Sequence, residues 1–248
     1  MNWFAVQYWA WLWPILVAPA IGSFVGVLIV RLPKGRPVVL ARSCCESCGR
    51  VLGAAELVPV ASYIAQRGRC RFCLAPIGQF HLQVELAAVA VAGWVVAAQP
   101  DPAQAWAGCI LGWTLLALAW IDLRHQRLPD VLTLPLIVAG LVVTAVQEPW
   151  RIMDHAIGAV VGYGVFRLVA WAYRVLRRRD GLGQGDAKLL AAAGAWVGWD
   201  GLDQVVLIGA AATLALALVL SRSRLHAGLA VPFGPGLAFG LLVMRLHG

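Results

Sequence analysis

Trp113-Thr114-Leu115-Leu116-Ala117-Leu118-Ala119-Trp120-Ile121 runs without a charge directly into Asp122. It is the end of an apolar stretch at about 103–121, the length of chain that a membrane-spanning helix needs. A carboxylate at the edge of such a helix is unfavourable in lipid and normally faces a polar cavity or a reaction. Sixty-four residues on, Gly181-Leu182-Gly183-Gln184-Gly185-Asp186 opens another hydrophobic segment. Two carboxylates in this position suggest a pair.

Similar stretches recur at about 9–30, 84–99, 131–147, 155–173, 187–199, 202–220 and 230–246. With 61% hydrophobic residues and a mean hydropathy of +0.78, the chain is excluded from the ordinary soluble globules. It reads as an all-α polytopic membrane protein of about eight transmembrane helices carrying a small zinc-binding cytoplasmic loop domain. The expected division is a first transmembrane helix at 1–30, the loop domain at 31–83 and a seven-helix membrane core at 84–248. The segment 187–199 is short for a bilayer, and Gly194 and Gly198 within it point to close packing among neighbours. Met1 to Trp13 holds no Lys or Arg, unlike a secretory signal, so the first span is expected to be retained. Trp3, Trp9, Trp11 and Trp13 suit an interfacial aromatic belt.

The charges orient the spans. Arg31, Lys34, Arg36, Arg42, Arg50, Arg67, Arg69 and Arg71 mark the first long loop as cytoplasmic under the positive-inside rule. Alternation then puts Arg124 and Arg127, Arg174, Arg177, Arg178, Arg179 and Lys188, and Arg222 and Arg224 on the same side, seventeen of the 20 basic residues. Both termini are expected outside the cytoplasm, and Asp122 and Asp186 on one face at one depth. The net charge of +8 is explained by topology and anionic lipid, so the bilayer is the expected partner and nucleic acid is not.

The long loop contains Cys45-Glu46-Ser47-Cys48 and Cys70-Arg71-Phe72-Cys73, two C-x-x-C pairs at the spacing of a four-thiolate zinc site. Cys45, Cys48, Cys70 and Cys73 are the expected ligands of a structural Zn2+ with no open position for catalysis. Redox chemistry and free thiols are the competing readings, and stable disulfides are uncommon in the reducing compartment. Cys44 is a possible competing ligand; Cys45 gives the two-residue spacer. Cys109, inside a span, reads as a packing residue. Metal binding would supply the folding free energy that so polar a loop lacks.

Taken singly, Asp186 is as well explained by a helix N-cap, and Asp122 by a solvated residue past a helix end. Gly181, Gly183 and Gly185 shift the balance because they permit close approach of a substrate strand. Asp130 is expected to cap the span that follows it and Asp180 to be solvated. Two neighbouring carboxyls hold one proton between them and can run acid and base chemistry on a water molecule, which is aspartic-peptidase chemistry. His81, His125, His155, His226 and His247 are scattered, without a nucleophile setting, and read as loop or interface residues. No Lys-Ser/Thr follows the glycine run, so it is not a nucleotide P-loop. The main alternative class is a non-enzymatic zinc-stabilised transporter or assembly subunit; the span centres lack the acidic relay that an ion path needs.

Across nearly its full length the chain resembles the bacterial prepilin peptidases, bifunctional leader peptidase/N-methyltransferases of type IV pilus and type II secretion systems. The resemblance rests on Gly22-Ser23-Phe24, Arg31-Leu32-Pro33, the cysteine knuckles, Glu85, Asp122 through Asp130, Gly183-Gln184-Gly185-Asp186 with Lys188-Leu189, and Pro232-Phe233-Gly234-Pro235. It implies Asp122 and Asp186 as the catalytic pair of a Gly-x-Gly-Asp membrane aspartic peptidase. The implied reaction is removal of a short basic leader, after Gly, from prepilins and pseudopilins at the cytoplasmic face of the inner membrane. N-methylation of the new N-terminus by S-adenosylmethionine follows, and the resemblance directs that site to the large loop, with Gly68 as candidate. Two departures stand out: Glu46 where the family commonly has Pro, and Arg124 at a frequently acidic position. Both bear on leader preference or loop detail rather than on the aspartates.

Overall fold

A computed structural model describes residues 3–39, 41–178, 183–221 and 232–248, with side chains described from Leu12 onward and not at 220–221. Trp3, Trp9, Trp11, Arg179, Asp180, Gly181, Arg222, Arg224 and His226 therefore fall outside the described side chains. Among the described residues the regular structure is helical: α1 (Trp3–Arg31), α2 (Ala61–Ala65), α3 (Phe80–Ala98), α4 (Pro102–His125), α5 (Asp130–Gln147), α6 (Ile152–Arg177), α7 (Gln184–Val197), α8 (Leu202–Ser221) and α9 (Gly234–His247). Among the described residues each of the eight expected apolar segments contains a helix, the last beginning at Gly234, and α2 is an additional short helix in the loop. Six of them are long and apolar enough to cross a membrane. At 14 residues each, α7 and α9 are shorter.

The chain forms two compact units, residues 1–117 and 118–248, and α4 begins in one and ends in the other. In the first unit α1 packs along α3, burying Val25, Ile29, Val84, Ala88, Ala92 and Val95. The indole of Trp113 on α4 donates to the Ala88 carbonyl at 3.0 Å, which satisfies its one polar atom inside the apolar contact. Where α1 ends, the Arg31 guanidinium donates to the carbonyls of Ala41 at 2.6 Å and Val38 at 3.1 Å, gathering the first stretch of the loop against the helix end.

In the second unit α7 is the central helix, packed on α5, α6, α8 and α9. Its residues Leu189 to Trp196 are all buried, as a helix apolar on every face requires. Small residues make this enclosure possible. A Cβ placed on Gly158 of α6 would come 2.8 Å from the Gly194 carbonyl oxygen, and one on Gly162 would come 2.6 Å from that of Leu190, so the two helices touch through backbone. Trp196 donates to the Leu136 carbonyl of α5 at 2.9 Å. His155 is buried between Thr144 and the Ala195 carbonyl, 3.0 Å from each, so this interface histidine is a packing and hydrogen-bonding residue of the core.

Three local expectations are corrected. Asp122 is not past a helix end: α4 continues to His125, because Leu123 and Arg124 do not break a helix, and it stops where Gln126 turns to φ +51 ahead of Pro129. Asp186 is not an N-cap: Gly183 takes that position, and Asp186 lies in the first turn. Asp130 is the first residue of α5, whose N-cap is Pro129, and its carboxylate pairs with Lys188 instead of capping.

Candidate active site and metal centre

Each aspartate sits at a helix end of the second unit, and the two carboxyls are close enough to act on one another electrostatically. Asp122 sits in the last turn of α4 and is only 6% exposed. Its Oδ2 accepts a hydrogen bond from the Gly234 N–H, the first residue of α9, at 3.0 Å. Asp186 sits in the first turn of α7, where unpaired amides and the helix dipole favour an anion. The Gly183 amide is directed at its carboxyl, and the Asp122 carboxyl acts on it coulombically, so the two acids share one electrostatic environment.

Glycines set the clearances around them. A Cβ on Gly234 would lie 2.5 Å from Asp122 Oδ2, a distance that no side chain could occupy without displacing the carboxyl. A Cβ on Gly185 would meet Leu128 at 2.8 Å, so this glycine lets the first turn of α7 press against the chain leaving α4. On the same turn Lys188 reaches Asp130 of α5 in an ion pair, tying the starts of α5 and α7 together. Sequence reading paired the two aspartates but missed the hydrogen-bond role of Gly234. Its partner is 112 residues away, and the only signal was its place in Pro232-Phe233-Gly234-Pro235.

In the first unit the four cysteines converge, and their sulfurs all lie within 4.8 Å of one another. Cys45 Sγ and Cys73 Sγ are 3.9 Å apart. Zinc–sulfur bonds of about 2.3 Å at tetrahedral angles place sulfurs about 3.8 Å apart, so the cluster fits a four-thiolate zinc ion. The two knuckles share one construction. The backbone bridges Cys44 to Val51 in the first and Arg69 to Pro76 in the second, at the same offset from the cysteines. The residue after the second cysteine has positive φ in both, Gly49 at +70° and Leu74 at +58°. Arg50 of the first knuckle lies over the Phe72 ring of the second, 3.7 Å from its centre.

Crowding four thiols makes their protons unequal. Backbone N–H groups of Cys48 and Ser47 directed at Cys45 lower its thiol to about 6. Cys73 rises to about 11: although the Ala75 amide pulls it down, desolvation and hydrogen bonds shared with the other three sulfurs outweigh that. One sulfur ionises readily and the last resists, a conflict that a divalent cation relieves. Cys44 is exposed and outside the cluster, and Cys109 is buried in α4, where desolvation in an apolar helix suits a packing thiol.

Gly68, two residues before Cys70, has φ +66 and its amide donates to the Tyr63 carbonyl at 2.9 Å. The Tyr63 hydroxyl lies 3.0 Å from where a Cβ would be. A side chain here would be strained by the positive φ and would crowd the Tyr63 ring of α2.

Comparisons with known proteins identify the family. Residues 109–218 match the type IV leader peptidase family, and residues 16–99 match the bacterial peptidase A24 N-terminal domain. The chain is 40% identical over 252 residues to a prepilin leader peptidase/N-methyltransferase of Burkholderia pseudomallei, covering 91% of this chain and 82% of that one. It is 37% identical to the protein of that name from Aeromonas hydrophila, covering 92% and 87%, and 35% identical to that from Pseudomonas aeruginosa, covering 94% and 89%. No solved structure matches it. On the strength of these full-length similarities, the chain belongs to the type IV leader peptidase family.

Proposed function

We propose that this protein is a membrane aspartic endopeptidase that removes the short basic leader of prepilins and pseudopilins after Gly, at the cytoplasmic face of the inner membrane, and then N-methylates the exposed N-terminus. Family membership makes it a leader-processing enzyme. The observation that carries the finer reading is the meeting of Asp122 and Asp186 from separate helix ends, within coulombic reach, with Gly234 N–H on one of them.

In the proposed reaction one carboxylate takes a proton from water while the other, protonated, donates to the scissile carbonyl oxygen. The water oxygen bonds to the carbonyl carbon. On collapse the C–N bond breaks, the leaving nitrogen receives a proton, and the pair returns to its single-proton state. The Gly234 hydrogen bond fixes the Asp122 carboxyl so that only its other oxygen is free to act. Leader recognition is assigned to the acidic groups near this site, Asp130 among them, since the leader is positive.

Zinc, held by Cys45, Cys48, Cys70 and Cys73, is structural in this reading, because four sulfurs close its coordination. The methyl donor would be S-adenosylmethionine, supplying an electrophilic methyl group whose bond to sulfur would break as the neutral amine nitrogen takes it, leaving the thioether S-adenosylhomocysteine and a proton released from nitrogen. The methyl-transfer region is assigned to the loop domain 31–83, with Gly68 shaping it through Tyr63; residues 1–30 are the first span and 84–248 the peptidase core. Both termini lie in the periplasm. The test is a reconstituted assay on a synthetic prepilin, read as leader loss and as the further mass of one methyl group. Asp186→Asn is expected to abolish leader loss; unchanged cleavage would end the mechanism.

A further inference from the structure

Glu85 is a carboxyl in an unusual place for one the peptidase reaction does not use. It lies in α3, a span-length apolar helix, and is 6% exposed. An acid buried this way needs a partner and a purpose. Its partner is the loop: Glu85 Oε2 accepts the Val60 N–H at 2.8 Å. Val60 precedes α2 and has φ +59 and ψ −53, a conformation that a β-branched residue adopts only where its surroundings impose it.

The helix pair is built to admit this contact. A Cβ on Gly22 of α1 would come 2.6 Å from Glu85 Cα and 2.9 Å from the Ala88 side chain, so the backbones meet there. One turn along, Gly26 clears His81, whose Nδ1 would be 2.7 Å from a Cβ. Gly22 and Gly26 thus form a small-residue face onto which α3 turns its polar positions 81 and 85.

From Val60 the contacts continue into the metal loop. α2 carries Tyr63, whose carbonyl accepts the Gly68 N–H and whose hydroxyl covers the Gly68 Cα. The Gly68 carbonyl in turn accepts the Ile77 N–H at 2.7 Å, which closes the hairpin bearing Cys70 and Cys73. We propose that Glu85 is a positioning residue for methyl transfer: through the Val60 amide it clasps α2, and with it the second knuckle, to α3. The proposal rests on the reading of the loop as the methyl-transfer region. The clasp is drawn entirely from residues 22–85 of the first unit, and both aspartates belong to the second, so the proposal assigns it to the second activity, which the leader-removal arm of the experiment tests.

The experiment uses the full-length protein in liposomes with a synthetic prepilin and S-adenosylmethionine. Leader loss and methyl gain are followed by mass spectrometry, zinc by elemental analysis, and the Val60 amide by hydrogen exchange. Glu85→Ala is expected to lower methyl gain about tenfold or more and to speed Val60 exchange by a similar factor, as loss of a part-buried hydrogen bond that leaves the Val60 N–H unpaired implies. Leader loss should stay within about twofold, and zinc content should hold, since the ligands are untouched. Glu85→Gln keeps an acceptor oxygen and is expected to restore both methyl gain and slow exchange. Full methylation by Glu85→Ala would overturn the proposal. So would a Gln variant as inactive as Ala, which would make the carboxylate a chemical participant, or a parallel fall of both activities. A parent enzyme that removes the leader but adds no methyl group would overturn the reading of the loop instead. In that event unchanged Val60 exchange in Glu85→Ala would still refute the clasp.

Discussion

The sulfur cluster and the carboxylate pair are assembled in opposite ways. Each knuckle is closed by hydrogen bonds between residues at most nine apart, such as Leu52 N–H to the Ser43 carbonyl and Ile77 N–H to the Gly68 carbonyl. The ligands are therefore nearly in place before the two halves meet. The carboxylates have no local closure: Asp122, Asp186 and the Gly234 amide come from three helices, and two of these, α7 and α9, are held by packing with one another and with α5, α6 and α8. A metal can organise the first kind of site, whereas the second depends on helix surfaces that fit. The glycines at helix contacts belong to this second kind.

The sharpest way to break the contrast is at the aspartates themselves. Asp122→Asn and Asp186→Asn are each expected to lower leader cleavage by about a thousandfold or more, with helical content and zinc unchanged, measured by cleavage rate, circular dichroism and elemental analysis. Retained activity in either would dissolve the pair. Metal removal comes next. A strong chelator, or Cys45→Ser, is expected to unfold the loop, read as rapid amide exchange throughout 44–77, because binding and folding are one event there. Exchange in α7 should not change; if it does, the loop and the helical core are not separately stabilised.

Gly234→Ala tests the fitted kind of site at one atom. The new Cβ would press on Asp122 Oδ2, and cleavage is expected to fall about ten- to a hundredfold while methylation of an already cleaved substrate is unchanged. Equal loss of both activities would mean that α9 had unfolded. The smallest effect is at Leu74, exposed and held at φ +58. Leu74→Gly relieves the left-handed strain that Gly49 avoids in the twin knuckle, and should stabilise the zinc-bound loop by about 0.5 kcal/mol, net of the glycine's added chain entropy, read as a higher denaturant midpoint for zinc release. A lower midpoint would show that Leu74 makes contacts its exposure does not suggest.

The same distinction explains what the sequence made legible. Cys45, Cys48, Cys70 and Cys73 announce their cluster because ligand spacing is a local property. The apolar segments announce their helices for a similar reason, since helix formation in lipid is settled by hydropathy and length. Pairing Asp122 with Asp186 required a topological argument, and their hydrogen-bond partners could not be read at all: Gly234 meets Asp122, and Val60 meets Glu85, across folded distance. Helix ends were the other weak point. Asp122 looked terminal because hydrophobicity stops there, yet α4 runs one turn further, since the backbone ends a helix at Gln126 and not at the last apolar residue.

One dimension of the second unit constrains any substrate. α7 and α9, the two helices that begin at the carboxylates, have 14 residues each and so measure about 21 Å, against about 30 Å of hydrocarbon. If the far end of α7 were level with one boundary, its first turn would lie about 9 Å short of the other. Lipid cannot solvate the free amides of an end at that depth, so protein and water would have to replace it there. A peptide bond waiting at headgroup level has to descend that depth. An extended segment covers it in about three residues, whereas a helical one needs about six. In that placement the short helices would favour, under the proposed function, chains that fray where a charged leader joins an apolar helix over those whose helix runs unbroken through the junction.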